Sequence, residues 1–211
     1  LPLFRYRERR PKILHRELAR NPDFFAEVVA LVYKAEDEPD REMSEEAHTR
    51  ARHGHELLES WQTVPGRWED GSIDPEALKA WVGRAREVTD TQGRGSIGEY
   101  LIGRVLSFGP ADPDETWPSV AVRDLIEEMG SQDIEDGFRL GIYNSRGFVS
   151  RGLTEGGGQE KQLAEKYLNY AGMIGDQWPR TAAMLRMLAD TYLSKARRED
   201  LEAELREDLW H

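Results

Sequence analysis

The chain has 211 residues, 38% hydrophobic and 33% charged, enough for a substantial core under a heavily charged surface. Its formal net charge of −11 argues against a surface dedicated to nucleic acid or anionic membrane and leaves room only for local basic patches. There is no cysteine, which excludes disulfides, zinc–thiolate centres and thiol nucleophiles, and no apolar run approaches the roughly 18–20 residues that span a bilayer.

The first residues form such a patch. Arg5, Arg7, Arg9, Arg10, Lys12, Arg16 and Arg20 outnumber Glu8 and Glu17, and no signal-peptide apolar stretch follows, so the segment reads as solvated surface of a cytoplasmic protein. The start at Leu1 rather than methionine is expected of a piece of a longer polypeptide. Next, "NPDFFAEVVALVYKA" carries Asn21 as N-cap, Pro22 in the first turn and Asp23 at the positive end of the helix dipole, and predicts a broadly buried helix. Residues 36–46 hold Glu36, Asp37, Glu38, Asp40, Glu42, Glu45 and Glu46 around Pro39. With almost no large apolar side chain to offset ordering entropy, they predict a mobile exposed loop.

"HTRARHGHELLE" is the densest cluster of ligand-type residues. On a helix, His48, Arg52 and His55 share a face while His53 turns away, and the zinc-protease spacing of two histidines four apart is missing, so no metal site is expected. Asp74-Pro75-Glu76 opens a second amphipathic helix through Leu78, Trp81, Val82 and Ala85. Ser96 and Glu99 have capping-box spacing at the head of "SIGEYLIGRVLSF". Gly109-Pro110 and Pro113 mark a break, and a subdivision of the single 1–211 domain would fall near 109–116.

"WPSVAVRDLIEEM" from Trp117 and "WPRTAAMLRMLAD" from Trp178 echo one another as Trp-Pro helix starts, with proline in the first turn and tryptophan packed back like a staple. Two copies suggest a reused helical hairpin, as in a solenoid, where three or more are usual. No Gly or Pro follows Pro179, so one helix of about 45 Å is expected from Arg180 onward. Its first half is core-like through Met184, Leu185, Met187, Leu188 and Tyr192, and its second half keeps a narrow stripe of Leu201, Leu205 and Leu209. The six tryptophans are expected mostly at helix starts or in the core.

"NSRGFVSRGLTEGGGQEKQLAEKY", residues 144–167, is the candidate functional segment. It lacks the Lys-Ser/Thr and the preceding strand of a Walker loop, and dinucleotide binding fails for want of the same strand. A general anion site remains open, with Asn144, Arg146 and Arg151 supplying side chains and Gly156, Gly157 and Gly158 exposing backbone N–H groups at a helix start. The competing reading is a joint whose arginines pair with local acids such as Glu155. No nucleophile elbow occurs, no pair of carboxylates stands out, and neither catalytic residues nor a cofactor is implied.

"VRDLIEEMGSQDIEDGFRLGIYNSRGFVSRG", "GGGQEKQLAEKY" and "WPRTAAMLRMLADTYLSKARRED" together resemble the C-terminal helical region of long uncharacterised bacterial proteins, a resemblance that implies no activity and no site residues. The expectation is an all-α domain of packed antiparallel helix pairs, of HEAT-like or other α-solenoid form. It would serve as an interaction or regulatory module that meets a protein partner or other domains of the same polypeptide, with no role at a membrane or on nucleic acid. A helical sensor or enzyme holding a small anion or nucleotide at the 146–158 loop is the alternative.

Overall fold

A computed structural model describes residues 11–39, 44–145 and 156–210. Its elements are α1 (Lys12–Arg20), α2 (Pro22–Val32), α3 (Glu45–Ser60), α4 (Pro75–Thr91), α5 (Gly95–Leu106), α6 (Val120–Met129), α7 (Gln132–Ser145), α8 (Gly158–Ile174) and α9 (Pro179–Trp210). Among the described residues there is no strand, only one isolated antiparallel bridge between Arg67 and Ile73. The all-α expectation holds.

Several helix starts follow the local chemistry. Asn21 caps α2 by accepting from the Phe24 N–H at 3.1 Å, and Asp74 caps α4 by accepting from Glu76 and Ala77, both at 3.0 Å. Pro22 and Pro75 occupy the first turn, where an N–H would have no intrahelical partner. Ser44 caps α3 through the Ala47 N–H at 3.2 Å.

Helices pair in both senses. Phe25 meets Trp61 and Val32 approaches Gly54, so α2 and α3 are antiparallel. Arg86–Glu99 and Thr89–Gly98 make α4 and α5 antiparallel. In the α8/α9 hairpin Lys161 meets Asp200, Tyr167 stacks on Tyr192 at 5.8 Å and Gly175 lies by Arg186. Parallel packing was not expected. Asp23 meets Arg84 while the Tyr33 carbonyl meets Arg94, so α2 runs alongside α4 in the same direction. Glu99–Ser131, Tyr100–Gly137 and Ser107–Gly141 likewise advance together along α5 and α7.

The α5/α7 crossing is very close. A Cβ at Gly137 would lie 1.9 Å from the Tyr100 carbonyl oxygen, and one at Gly103 would lie 1.9 Å from that of Ile134. Only glycine lets the two backbones approach this far. The core itself is a continuous cluster from Leu18 to Tyr192. At its α2/α3/α4 end Phe25, Trp61 and Trp81 pack with ring centroids 5.2–5.8 Å apart, and Trp81 donates its indole N–H to the Leu18 carbonyl at 3.1 Å. Burying each such side chain contributes on the order of 2 kcal/mol from apolar surface alone.

Some local expectations fail, for identifiable reasons. In the basic start Arg5, Arg7, Arg9 and Arg10 lie outside the described residues, Lys12, Arg16 and Arg20 are exposed as expected, and what was missed is α1 itself, which buries His15 and Leu18. Of residues 36–46, 40–43 lie outside the described residues. Glu45 and Glu46 are the first turn of α3, the Glu36 N–H donates to the Gly93 carbonyl at 3.0 Å, and Glu38 pairs with Arg94 at 3.2 Å. Glu36 and Glu38 are thus held by a distant carbonyl and a distant guanidinium rather than by apolar burial. Ser96 and Glu99 make no capping box, because α5 already begins at Gly95 and Glu99 instead binds Arg86 and the Ser131 hydroxyl.

The two Trp-Pro starts also diverge. Pro179 opens α9, whereas Trp117-Pro118 is a cis peptide ahead of α6, which begins at Val120. Trp117 turns toward Phe138, Tyr167 and Tyr170, with centroids 5.5–6.2 Å away. In the 109–116 break, Asp112 accepts from the Val120 N–H at 3.0 Å and pairs with Arg123, and its own N–H donates to the Thr116 carbonyl at 2.9 Å. Along α9, Ala182, Leu185, Leu188, Ala189 and Tyr192 are buried, but Met187 is half exposed. Leu201 and Leu205 are exposed as the narrow stripe foretold, and the Leu209 side chain lies outside the described residues.

Candidate functional site

The glycine-led start of α8 is occupied from within the chain. Gly157 donates its N–H to Asp200 Oδ1 at 2.8 Å, and Lys161 Nζ holds Asp200 Oδ2 at 2.8 Å. The Lys161 hydrogen bond first, and the Gly157 N–H second, keep the Asp200 carboxyl below the usual carboxylate range. Gly157 is required by packing, since a Cβ there would fall 2.4 Å from Ala196 Cα, and a Cβ at Gly156 would crowd Asp200 Oδ1 at 2.6 Å. Gly158 has open space around it. Asn144 is exposed near the end of α7, and Arg146 and Arg151 lie outside the described residues. The chain's own carboxylate therefore sits where an external anion would meet the Gly157 N–H.

The histidine-rich segment forms the outer side of α3, with His48, Arg52, His53 and His55 all exposed. His48 and Arg52 line a shallow opening with Glu45 and Glu46, which His53 and His55 do not reach.

A different place gathers exposed arginines without partners among the described residues. A cleft of about 780 Å³ opens between the end of α1, the start of α2, the 61–74 connection and the first turns of α4. Arg16 and Arg20, four apart on one face of α1, line one side, and Arg67, Trp68 and Glu69 line another. The side chains of Arg16, Arg20 and Arg67 make no ion pair and no hydrogen bond among the described residues. The arginines elsewhere in the core-forming helices are mostly paired, as Arg84 is with Asp23 and Arg94 with Glu38. Three arginines against Glu69 and Asp74 give this lining a charge of +1, in a chain that carries −11 as a whole. Asp74 is engaged in capping α4, which leaves Glu69 as the other acid of the lining.

Trp68 is 59% exposed, the most exposed of the tryptophans whose side chains are described. Its exposure is built in. The Trp68 N–H donates to Ser72 at 2.9 Å, the Gly71 N–H returns to the Trp68 carbonyl at 3.1 Å, and the Asp74 N–H closes onto Gly66 at 2.9 Å. Asp70 ties the tip by accepting from the Ser72 backbone N–H at 2.9 Å and from its hydroxyl at 2.7 Å, which also holds the Asp70 carboxyl below its ordinary range. Gly66 and Gly71 adopt φ of 73° and 94°, the left-handed region that glycine enters without strain. A Cβ at Gly66 would also meet the Asp74 carbonyl oxygen at 2.9 Å. A small hydrogen-bonded turn thus presents the indole to solvent at a cleft that Arg16, Arg20 and Arg67 also line.

Sequence reasoning assigned the tryptophans to helix starts and core, which holds for the buried Trp61 and Trp81 and fails for Trp68. The signal was present in "PGRWEDGS", where a tryptophan sits between Pro65-Gly66 and Gly71 with no apolar neighbour at helical spacing. Comparison of the chain with protein-family models, with curated proteins and with solved structures finds no match.

Proposed function

We propose that the chain is a helical interaction or regulatory module that recognises an anionic group through the cleft beside Trp68. The observation that carries this reading is the set of three arginines, Arg16, Arg20 and Arg67, left without acidic partners around one opening. Acidic residues outnumber basic ones by 40 to 29 in this chain, so partners for surface arginines are abundant. Guanidinium forks left together in such a chain suit a carboxylate or phosphate brought by a partner. The solenoid form of the fold belongs to the same proposal. Antiparallel pairs α2/α3 and α4/α5, with α2 parallel to α4 and α5 parallel to α7, are the pattern that stacked helical hairpins produce.

The test is a nuclear magnetic resonance titration of the isotope-labelled chain with pyrophosphate at low salt. The Trp68 indole and the Arg16, Arg20 and Arg67 Nε signals are expected to move together. Movement confined to Gly156–Gly158 and the arginines at 146 and 151 would instead favour the α8 loop as the anion site.

A further inference from the structure

We infer that the cleft takes a nucleoside phosphate, with the phosphate held among Arg16, Arg20 and Arg67 and the base stacked on Trp68. This rests on the reading of the cleft as an anion site and adds the chemistry of what the anion is attached to. The lining offers three different functionalities, and each makes a separate demand on the ligand.

The guanidinium groups demand a multidentate anion, for which a phosphate's several oxygens are suited. The indole demands a flat, weakly polar surface. Trp68 stands on a turn closed by backbone hydrogen bonds, so its ring is held ready outside the core rather than left there by looseness. Every nucleobase has a π-face for such a platform. Glu69 decides between a bare anion and a nucleoside phosphate. A carboxylate in the same lining opposes an inorganic anion, but it is an acceptor for ribose hydroxyls or an exocyclic amine. A nucleoside phosphate satisfies donors, platform and acceptor together, and bare phosphate satisfies one of them. A cleft of about 780 Å³ falls within the range of small-ligand sites. Pro22 places the first turn of α2, the positive end of that helix, along the same wall.

The experiment is isothermal titration of the full chain with adenosine 5′-monophosphate, adenosine, inorganic phosphate and an oligoglutamate peptide, at one low ionic strength. The monophosphate is expected to bind about tenfold or more tighter than phosphate or adenosine alone. Trp68→Ala should cost that ligand about tenfold and leave phosphate unchanged, while Trp68→Phe, which keeps an aromatic face, should restore most of the loss. Arg20→Ala and Arg67→Ala should each weaken monophosphate and phosphate by a similar factor of about ten. Helical circular dichroism of each variant checks that the fold is kept. Equal affinity for phosphate and the monophosphate, with Trp68→Ala silent, overturns the nucleoside ligand but keeps the anion cleft. Arginine-dependent binding of oligoglutamate without binding of the monophosphate does the same and points to an acidic peptide. Failure of every probe to bind, or binding indifferent to Arg20→Ala and Arg67→Ala, overturns both.

Discussion

The same side chain has two fates in this molecule. Arg104 and Arg123 are drawn into the interior, their side chains only 9% and 4% exposed, and each has an acidic partner there. Arg104 reaches from α5 to Glu59 and the Leu58 carbonyl, and Arg123 pairs with Asp112 while its guanidinium lies 4.0 Å over the Trp178 ring. Arg16, Arg20 and Arg67 stand around an open cleft with no such partner among the described residues. Buried arginines hold elements in register, because leaving a charge unpaired inside the protein is very costly. Exposed unpaired ones contribute almost nothing to folding and are available for binding.

This contrast is broken most severely by removing an interior guanidinium. Arg123→Ala leaves Asp112 with only the Val120 N–H and Trp178 without its cation, and should destabilise the fold by about 4 kcal/mol in denaturant unfolding. A loss below about 1 kcal/mol would show that Arg123 is as dispensable as a surface charge. Next in size is the glycine crossing. Gly137→Ala must push α7 off the Tyr100 carbonyl and should cost about 3 kcal/mol. Gly83→Ala, on an open face of α4 with nothing within 4 Å of the new methyl, should instead stabilise by about 0.5–1 kcal/mol. The opposite signs separate close packing from helix propensity.

A smaller effect is expected at the α4 start. Asp74→Ala removes the cap of Glu76 and Ala77 and should cost about 1 kcal/mol, read from the shift of the denaturant midpoint. Smaller still is the acid response of the α8/α9 hairpin. The folded-state pKa of Asp200 is depressed by Lys161 and the Gly157 N–H, so its contribution is present above the ordinary carboxylate range and is lost as pH falls through the folded value. Asp200→Asn should therefore flatten part of the acid limb of a melting-temperature profile without abolishing it, since Asp70 and Asp114 are also depressed by their hydrogen bonds. An unchanged acid limb would detach Asp200 from the hairpin.

Legibility from sequence follows the range of the interactions. The Asn21 and Asp74 caps, the prolines after them and the length of α9 are set within a few residues, and all were readable. The capping-box spacing of Ser96 and Glu99 was equally readable and misleading, because Glu99 found Arg86 thirteen positions away. The parallel α5/α7 crossing depends on glycines that meet a backbone more than thirty residues distant, which no local pattern encodes. The candidate site shows the same division. Gly157 was singled out for its free N–H, but Asp200, forty-three residues on, takes that N–H. The cleft joins Arg16 to Arg67 across α2 and α3, and only the exposed character of "GRWEDG" was local enough to be seen.

The central claim is that Arg16, Arg20 and Arg67 serve a ligand rather than the fold. It is tested most directly by the triple variant Arg16→Ala, Arg20→Ala, Arg67→Ala, melted with and without an anionic ligand. The unliganded variant is expected to keep a stability within about 0.5 kcal/mol of the parent. It is also expected to lose the anion-induced rise in melting temperature that mass action should give the parent. A variant that is markedly less stable on its own, yet still raised by the anion as much as the parent, would contradict it.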